Sequence, residues 1–289
     1  MPPVAVVTDT TAYLPADVVD EHGIVVVPLY VVFGADRMVK ESEITDYPAF
    51  FDELRGSESL PTTSQPSVGD FIACFEELLA QDRDVVSVHI SAGISGTPDS
   101  ARQAAEQLSR ESKGGERIRV IDSATVAGGL GLVVLAAAAA AEAGATLDEV
   151  EQRARQAREE LKIWFAVDTL EFLKRGGRIG AASAWIGSTL KVKPILSLES
   201  ELTPVERVRT SGRAFERLVD YARQRHQSGA DGWVVQHISA HEQAEKLVDR
   251  CREIFGREPV FIGEIGPVVS AHTGPGLLGV GSIPLRFLD

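Results

Sequence analysis

The chain is poor in the residues that carry redox and metal chemistry. Of 289 residues only two are cysteine, Cys74 and Cys251, and they form no C-x-x-C pair. That spacing excludes a disulfide framework and points to two reduced thiols buried in predicted helices, as expected of a cytosolic protein. Basic residues are outnumbered as well: 29 Lys and Arg stand against 42 Asp and Glu, for a net charge of -13. Such a balance argues against sequence-independent binding to nucleic acid or to anionic lipid. No Walker lysine or G-x-S-x-G elbow is present, which counts against a phosphate cradle and a hydrolase nucleophile. The N-terminal MPPVAVVTDTT has neither a basic nor an apolar signal region, so no secretory leader is expected. The one long uncharged run, from Ser123 to Ala141, holds eight alanines and three glycines but only six Leu or Val. Its transfer free energy is too small for a spanning helix, and a helix buried in the core is expected with no stable membrane insertion.

What remains is an ordinary globular composition, 44% hydrophobic and 25% charged, on a chain long enough for two cores. In the first half, apolar strand patterns (Val4 to Val7, Ile24 to Phe33, Val85 to Ile90, Ile118 to Ile121) alternate with helical ones (Tyr47 to Leu54, Val68 to Leu79, Pro98 to Leu108, then the alanine-rich segment). Alternation of this kind predicts an α/β, Rossmann-like parallel sheet with helices on its faces. Ser67 with Asp70 resembles an N-terminal cap, and Thr146 with Glu149 is a capping box opening a helix to about Leu161. Beyond it, strands at Ile163 to Val167, Val234 to Ile238 and Val260 to Ile265, a hairpin of Pro194 to Leu198 with Val205 to Arg209 around Glu199 to Pro204, and helices at Leu170 to Arg175, Glu242 to Phe255 and from a Ser211 cap to Gln227 predict a mixed α/β unit. The division is placed at 1–155 and 156–289, with the boundary inside 144–162 and the ligand site expected where the two domains meet.

Three loops rich in small hydroxyl residues, glycine and proline are the candidate site: Thr62 to Ser67, Ile90 to Ala101 and Gly266 to Gly276. Two follow strand-like runs and the first leads into a helix pattern, the places where α/β folds bind ligands. They offer neutral donors and one imidazole, His272, but no carboxylate pair, thiol or lysine, which suits holding an anionic head group. Ser95, Gly96 and Thr97 open a helix, where N–H groups and the helix dipole favour an anion; a plain helix cap reads equally well from these residues alone. The Gln65-Pro66 pair forces an extended segment that displays Thr63 and Ser64, or else is simply a proline turn. His272 has no second histidine or cysteine at metal spacing in its loop, so no metal is expected there.

The stretches TDTTAYLP (Thr8 to Pro15), TSQPS (Thr63 to Ser67), ISGT (Ile94 to Thr97), LKRGGRIG (Leu173 to Gly180), KPIL (Lys193 to Leu196), VRT (Val208 to Thr210) and AHTGPG (Ala271 to Gly276) together resemble the DegV family of bacterial fatty-acid-binding proteins. The resemblance runs from residue 8 to residue 276. It implies a non-catalytic lipid carrier that holds one long-chain fatty acid, needs no cofactor, and presents the carboxylate to a separate fatty-acid kinase for acyl-phosphate formation in phospholipid synthesis. On this resemblance Thr63, Ser95 and His272 hold the carboxylate, the last with a charge that assists at neutral pH, and Ser64, Gly96, Thr97, Arg178 and Thr273 support the site. Ala92 and Pro98 stand where the family pattern has a serine and an aromatic, which implies a somewhat different shell around the head group. The rival from the residues is a hydrolase or acyl transferase using Ser95 as nucleophile and His272 as base; its weakness is that no acid lies in the His272 loop, Glu264 being the nearest.

The tail dominates the expected affinity. About fourteen buried methylenes at ~0.8 kcal/mol each offer on the order of 11 kcal/mol before ordering costs, against ~1.5 to 3 kcal/mol for each hydrogen bond to a carboxylate. The alanine-rich helix and the apolar face of Ile179 to Leu190 are the candidate tail lining. Between Lys174 and Arg213 lie eight basic residues (Lys174, Arg175, Arg178, Lys191, Lys193, Arg207, Arg209, Arg213) and three acidic ones. This local excess reads as scattered solvated faces or as a docking surface, and the resemblance assigns Arg209 to kinase contact.

Overall fold

The computed structural model describes residues 3–34, 37–56, 60–185 and 192–289. In chain order the strands are β1 (Val4–Asp9), β2 (Val25–Val27), β3 (Tyr30–Phe33), β4 (Arg37–Lys40), β5 (Thr62–Ser64), β6 (Asp84–His89), β7 (Ile118–Asp122), β8 (Lys162–Ala166), β9 (Lys193–Glu199), β10 (Glu201–Val208), β11 (Gly232–His237), β12 (Phe261–Glu264) and β13 (Leu278–Ile283). The helices are α1 (Ala16–Glu21), α2 (Tyr47–Gly56), α3 (Val68–Ala80), α4 (Thr97–Arg110), α5 (Gly128–Glu142), α6 (Leu147–Glu160), α7 (Glu171–Arg175), α8 (Ser211–Gln227), α9 (His241–Phe255) and α10 (Pro267–Thr273).

These elements build three sheets. The first has the order β2-β1-β6-β7 and is parallel throughout, as the alternating pattern predicts. The second has the order β10-β9-β8-β13-β11-β12 and is antiparallel except for the β11–β12 pair. A small antiparallel sheet, β4-β3-β5, stands apart. All strands of the parallel sheet precede residue 123 and all strands of the mixed sheet follow residue 161, so the protein is a mixed α/β fold with two separate principal sheets.

Helix α5 joins them. Thirteen of its residues are buried, because alanine and glycine let neighbouring backbones approach from every side. Leu130, Leu132 and Val133 share a core with Val6 and Val88 of the parallel sheet and with Val234 and Ile283 of the mixed one. The run that lacked the hydropathy of a membrane span is therefore the central core helix, and none of the described helices is long and apolar enough to cross a membrane.

Both expected N-terminal caps are present: Ser67 and Asp70 form a capping box on α3, and Thr146 and Glu149 form one on α6. Cys74 and Cys251 are free, and burial pushes each thiol up to about 12. Three boundaries differ from the sequence pattern. The single strand expected from Ile24 to Phe33 is two strands on different sheets, because Pro28 has no N–H for a ladder and the Leu29 N–H turns to Thr10 Oγ1 at 3.2 Å. The hairpin turn is tight at Ser200, which adopts φ +78°, rather than a loop from Glu199 to Pro204. Thr210, not Ser211, caps α8, accepting the Arg213 N–H at 3.1 Å.

Candidate functional site

A deep apolar cavity lies between the sheets, with about 1040 Å³ of empty space when its open mouth is included. Its walls come from both halves of the chain: Ile90, Ile94 and Val126 from the first, Phe165, Leu198 and Val269 from the second. Four glycines, Gly128 and Gly129 at the start of α5 and Gly279 and Gly281 on β13, also line it. A Cβ on Gly281 would stand 2.6 Å from Ile163 Cγ2, and one on Gly128 2.8 Å from Val234 Cγ2. At these points backbone stands where side chains would fill the space. The alanine-rich helix thus contributes to the lining only through its first residues. Of the Ile179 to Leu190 segment, residues 186–190 lie outside the described ones, as does Lys191.

The polar mouth is assembled from distant pieces. Strand β5 pairs with β3, setting Thr63 opposite Val31, and the pleat turns Thr63 toward the cavity. Helix α10 supplies Thr273 and His272. The third candidate loop is therefore partly helical. Pro267 stands at the first helical position, which favours initiation, and Gly274 at φ +74° ends the helix. Thr63 Oγ1 lies 2.8 Å from His272 Nε2, while His272 Nδ1 is buried without a hydrogen-bond partner. Ser95 sits at the entry of α4 with its hydroxyl 2.9 Å from Thr97 Oγ1 and accepting the Thr97 N–H at 3.3 Å. The Arg178 guanidinium donates to the Gly176 carbonyl at 2.8 Å and to that of Ile94 at 3.4 Å. Ser95 and Arg178 also face a shallow outer groove lined by Gly96 and Gly177, so the mouth opens to solvent there.

Of the sequence candidates, Thr63, Ser95, Arg178, His272 and Thr273 all line the cavity. Thr273 returns its hydroxyl to the Val269 carbonyl at 2.9 Å. Gly96 belongs to the outer groove, where a Cβ would meet the Gln65 side chain at 2.5 Å. Thr97 is fully buried beneath Ser95. Ser64 does not line the cavity, since alternation along β5 sends it to the other face, and its hydroxyl donates to the Gln65 carbonyl at 3.3 Å. Arg209 is exposed and is not among the residues lining the cavity or its outer groove.

One expectation is corrected. Burial, assisted by the nearby Arg178 charge, lowers His272 to about 4. The imidazole is therefore neutral at pH 7 in the ligand-free protein, rather than positively charged.

Sequence reasoning missed two participants. Gln236 of β11 is 5% exposed, lines the cavity, and accepts the Gly128 N–H at the start of α5 through its Oε1. A lone glutamine in a strand carries no signal for that role. Glu41 is the second: fully buried, it accepts hydrogen bonds from Tyr13 Oη and the Val268 N–H, both at 2.7 Å. It thereby fixes the start of α10, the helix that carries His272, and burial raises it to about 7.

Fold and site together define a two-sheet α/β protein with a largely apolar cavity that opens at a polar mouth. The chain belongs to the DegV family: the family described as uncharacterised protein, DegV family, matches residues 3–285. It is 41% identical over 280 residues to a DegV domain-containing protein of Streptomyces coelicolor, covering 96% of this chain and 97% of that one. Among solved structures it is similar to a fatty-acid-binding DegV family protein from Thermus thermophilus, with TM-score 0.86 and 33% identity over 99% of this chain and 100% of that one. It is also similar to DegV of Bacillus subtilis, a fatty acid binding protein, with TM-score 0.84 and 32% identity over 98% and 100% of the two chains.

Proposed function

We propose that this protein binds one long-chain fatty acid, with its tail in the apolar cavity and its carboxylate at Thr63, Ser95 and His272, and presents that carboxylate to a separate fatty-acid kinase. The observation that carries the reading is the cavity itself: lined mostly by apolar side chains, with Thr63, Ser95, Arg178, His272 and Thr273 at its mouth and Gln65 and Gln236 as its other polar side chains. Relatives over almost the whole chain that are described as fatty-acid-binding support the choice of ligand. Apolar burial supplies the affinity and the hydroxyls supply the orientation, since methylenes at ~0.8 kcal/mol each outweigh a few hydrogen bonds. The groove beside Ser95 and Arg178 gives a second protein access to the head group. We place this activity in the bacterial cytoplasm, as a non-catalytic step that feeds acyl phosphate to phospholipid synthesis, with no cofactor.

The hydrolase reading is disfavoured by the imidazole. His272 Nε2 faces Thr63 rather than Ser95, and Nδ1 has no carboxylate to orient it. Mass spectrometry of gently denatured, purified protein separates the readings: a carrier releases one stoichiometric fatty acid. Protein that contains none and does not take up oleate or palmitate overturns the proposal.

A further inference from the structure

A second group of ligating side chains lies away from the cavity, on the opposite face of β11. Successive residues of a strand point to opposite faces, so Gln236 meets the cavity while His237 turns toward α9. His237 and Glu264 are direct partners in the parallel register of β11 with β12, both at the carboxyl ends of their strands. The short turn through Ser239 and Ala240 then brings His241, the first residue of α9, back over the same point. His241 Nε2 lies 3.4 Å and His237 Nδ1 3.9 Å from Glu264 Oε1, and the two rings stand 4.4 Å apart. Glu264 is held in place by the Ser239 N–H at 3.1 Å. Among the described residues this is the one set of three His, Cys, Asp or Glu side chains whose ligand atoms all fall within 4.8 Å of one another.

We propose that His237, His241 and Glu264 form a binding site for a zinc-like divalent transition-metal ion. Ligands at about 2.0 to 2.2 Å from a tetrahedral zinc stand roughly 3.4 Å apart, which the His241–Glu264 pair already matches and the His237–Glu264 pair misses by about half an ångström. Two imidazoles and one carboxylate select zinc over magnesium, which prefers oxygen donors. The ion takes three protein ligands and leaves a position for water or a further ligand. Its structural effect is to tie the ends of β11 and β12 to the start of α9, one residue before Ile265 enters the cavity wall. His237 Nδ1 also lies 3.4 Å from the Ala240 N–H, a long contact that the ion displaces.

The test uses full-length protein freed of any histidine tag and titrated with zinc sulfate against a chromophoric chelator at pH 7.5. One equivalent binds to the wild type, and His241→Ala and Glu264→Gln each weaken it at least tenfold. The His241 side chain is 70% exposed, so its replacement leaves the fold intact, which circular dichroism verifies. X-ray absorption of the loaded protein shows two imidazoles on the metal, and zinc raises the thermal midpoint of the wild type but not of His241→Ala. If the wild type binds no zinc, or binds it no more tightly than His241→Ala, the three side chains are an ordinary ion-paired cluster and the proposal is overturned.

Discussion

Thr63 Oγ1 and His272 Nε2 are 2.8 Å apart although 209 residues separate them in the chain. One comes from an edge strand of the smallest sheet and the other from the last turn of a seven-residue helix. Their meeting marks the polar end of the cavity.

On the proposed placement of the head group, replacing both Thr63 and Ser95 by Ala removes two hydrogen bonds to the carboxylate. At ~1.5 to 3 kcal/mol each, the double variant is expected to bind a labelled fatty acid more than a hundredfold more weakly, with its melting temperature little changed. Binding at wild-type strength in a displacement assay refutes this placement of the head group.

His272 links stability to acid. Its ordinary value of 6.5 applies in the unfolded chain, and burial lowers it to about 4 in the folded one. Stability is therefore fully present above pH 6.5 and falls as pH drops toward 4, because the unfolded chain takes up the proton first. The full loss is on the order of 3 kcal/mol. His272→Gln is expected to remove that slope, measured as urea midpoints between pH 7 and 5 relative to the wild type; an unchanged slope contradicts the assignment.

Glu41 acts in the opposite sense over the same window. Burial raises its folded value to about 7 from 4.5, so the folded state retains a proton that the unfolded chain has released. Its contribution is present below pH 4.5, declines as pH rises to 7, and is gone above that, again on the order of 3 kcal/mol. Glu41→Gln keeps an acceptor for Tyr13 and Val268 without the buried charge. The variant is expected to gain stability relative to the wild type at pH 8 more than at pH 5, and equal differences at both pH values argue against a buried, titrating Glu41.

Arg209 carries the proposal of kinase docking. Arg209→Glu is expected to leave fatty-acid affinity within twofold of the wild type, since the residue is exposed and outside the cavity lining. Acyl-phosphate formation with a matching kinase is expected to slow at least tenfold, and wild-type turnover is expected to fall as salt screens the contact. Full turnover by the variant, or complete loss of fatty-acid binding, removes Arg209 from that role.

Local signals sufficed for much of this molecule. Period-two and period-3.6 patterns located the strands and helices of the parallel sheet, and the capping boxes at Ser67 and Thr146 marked helix starts within a residue, because cap chemistry is carried by neighbours three positions apart. The ordered motifs, Thr63, Ser95 and His272 among them, were legible as candidates. The tertiary structure alone decided which candidates share a cavity. Ser64 was excluded by the pleat of β5, Glu41 entered through a bond to Val268 across 227 residues, and His272 became neutral through burial. Gln236 and the pairing of His237 with Glu264 were equally invisible, because strand register between distant segments is set by packing. Sequence spacing specifies neighbours along a helix or strand, whereas proximity across sheets and the dielectric around a side chain exist only once the chain has closed.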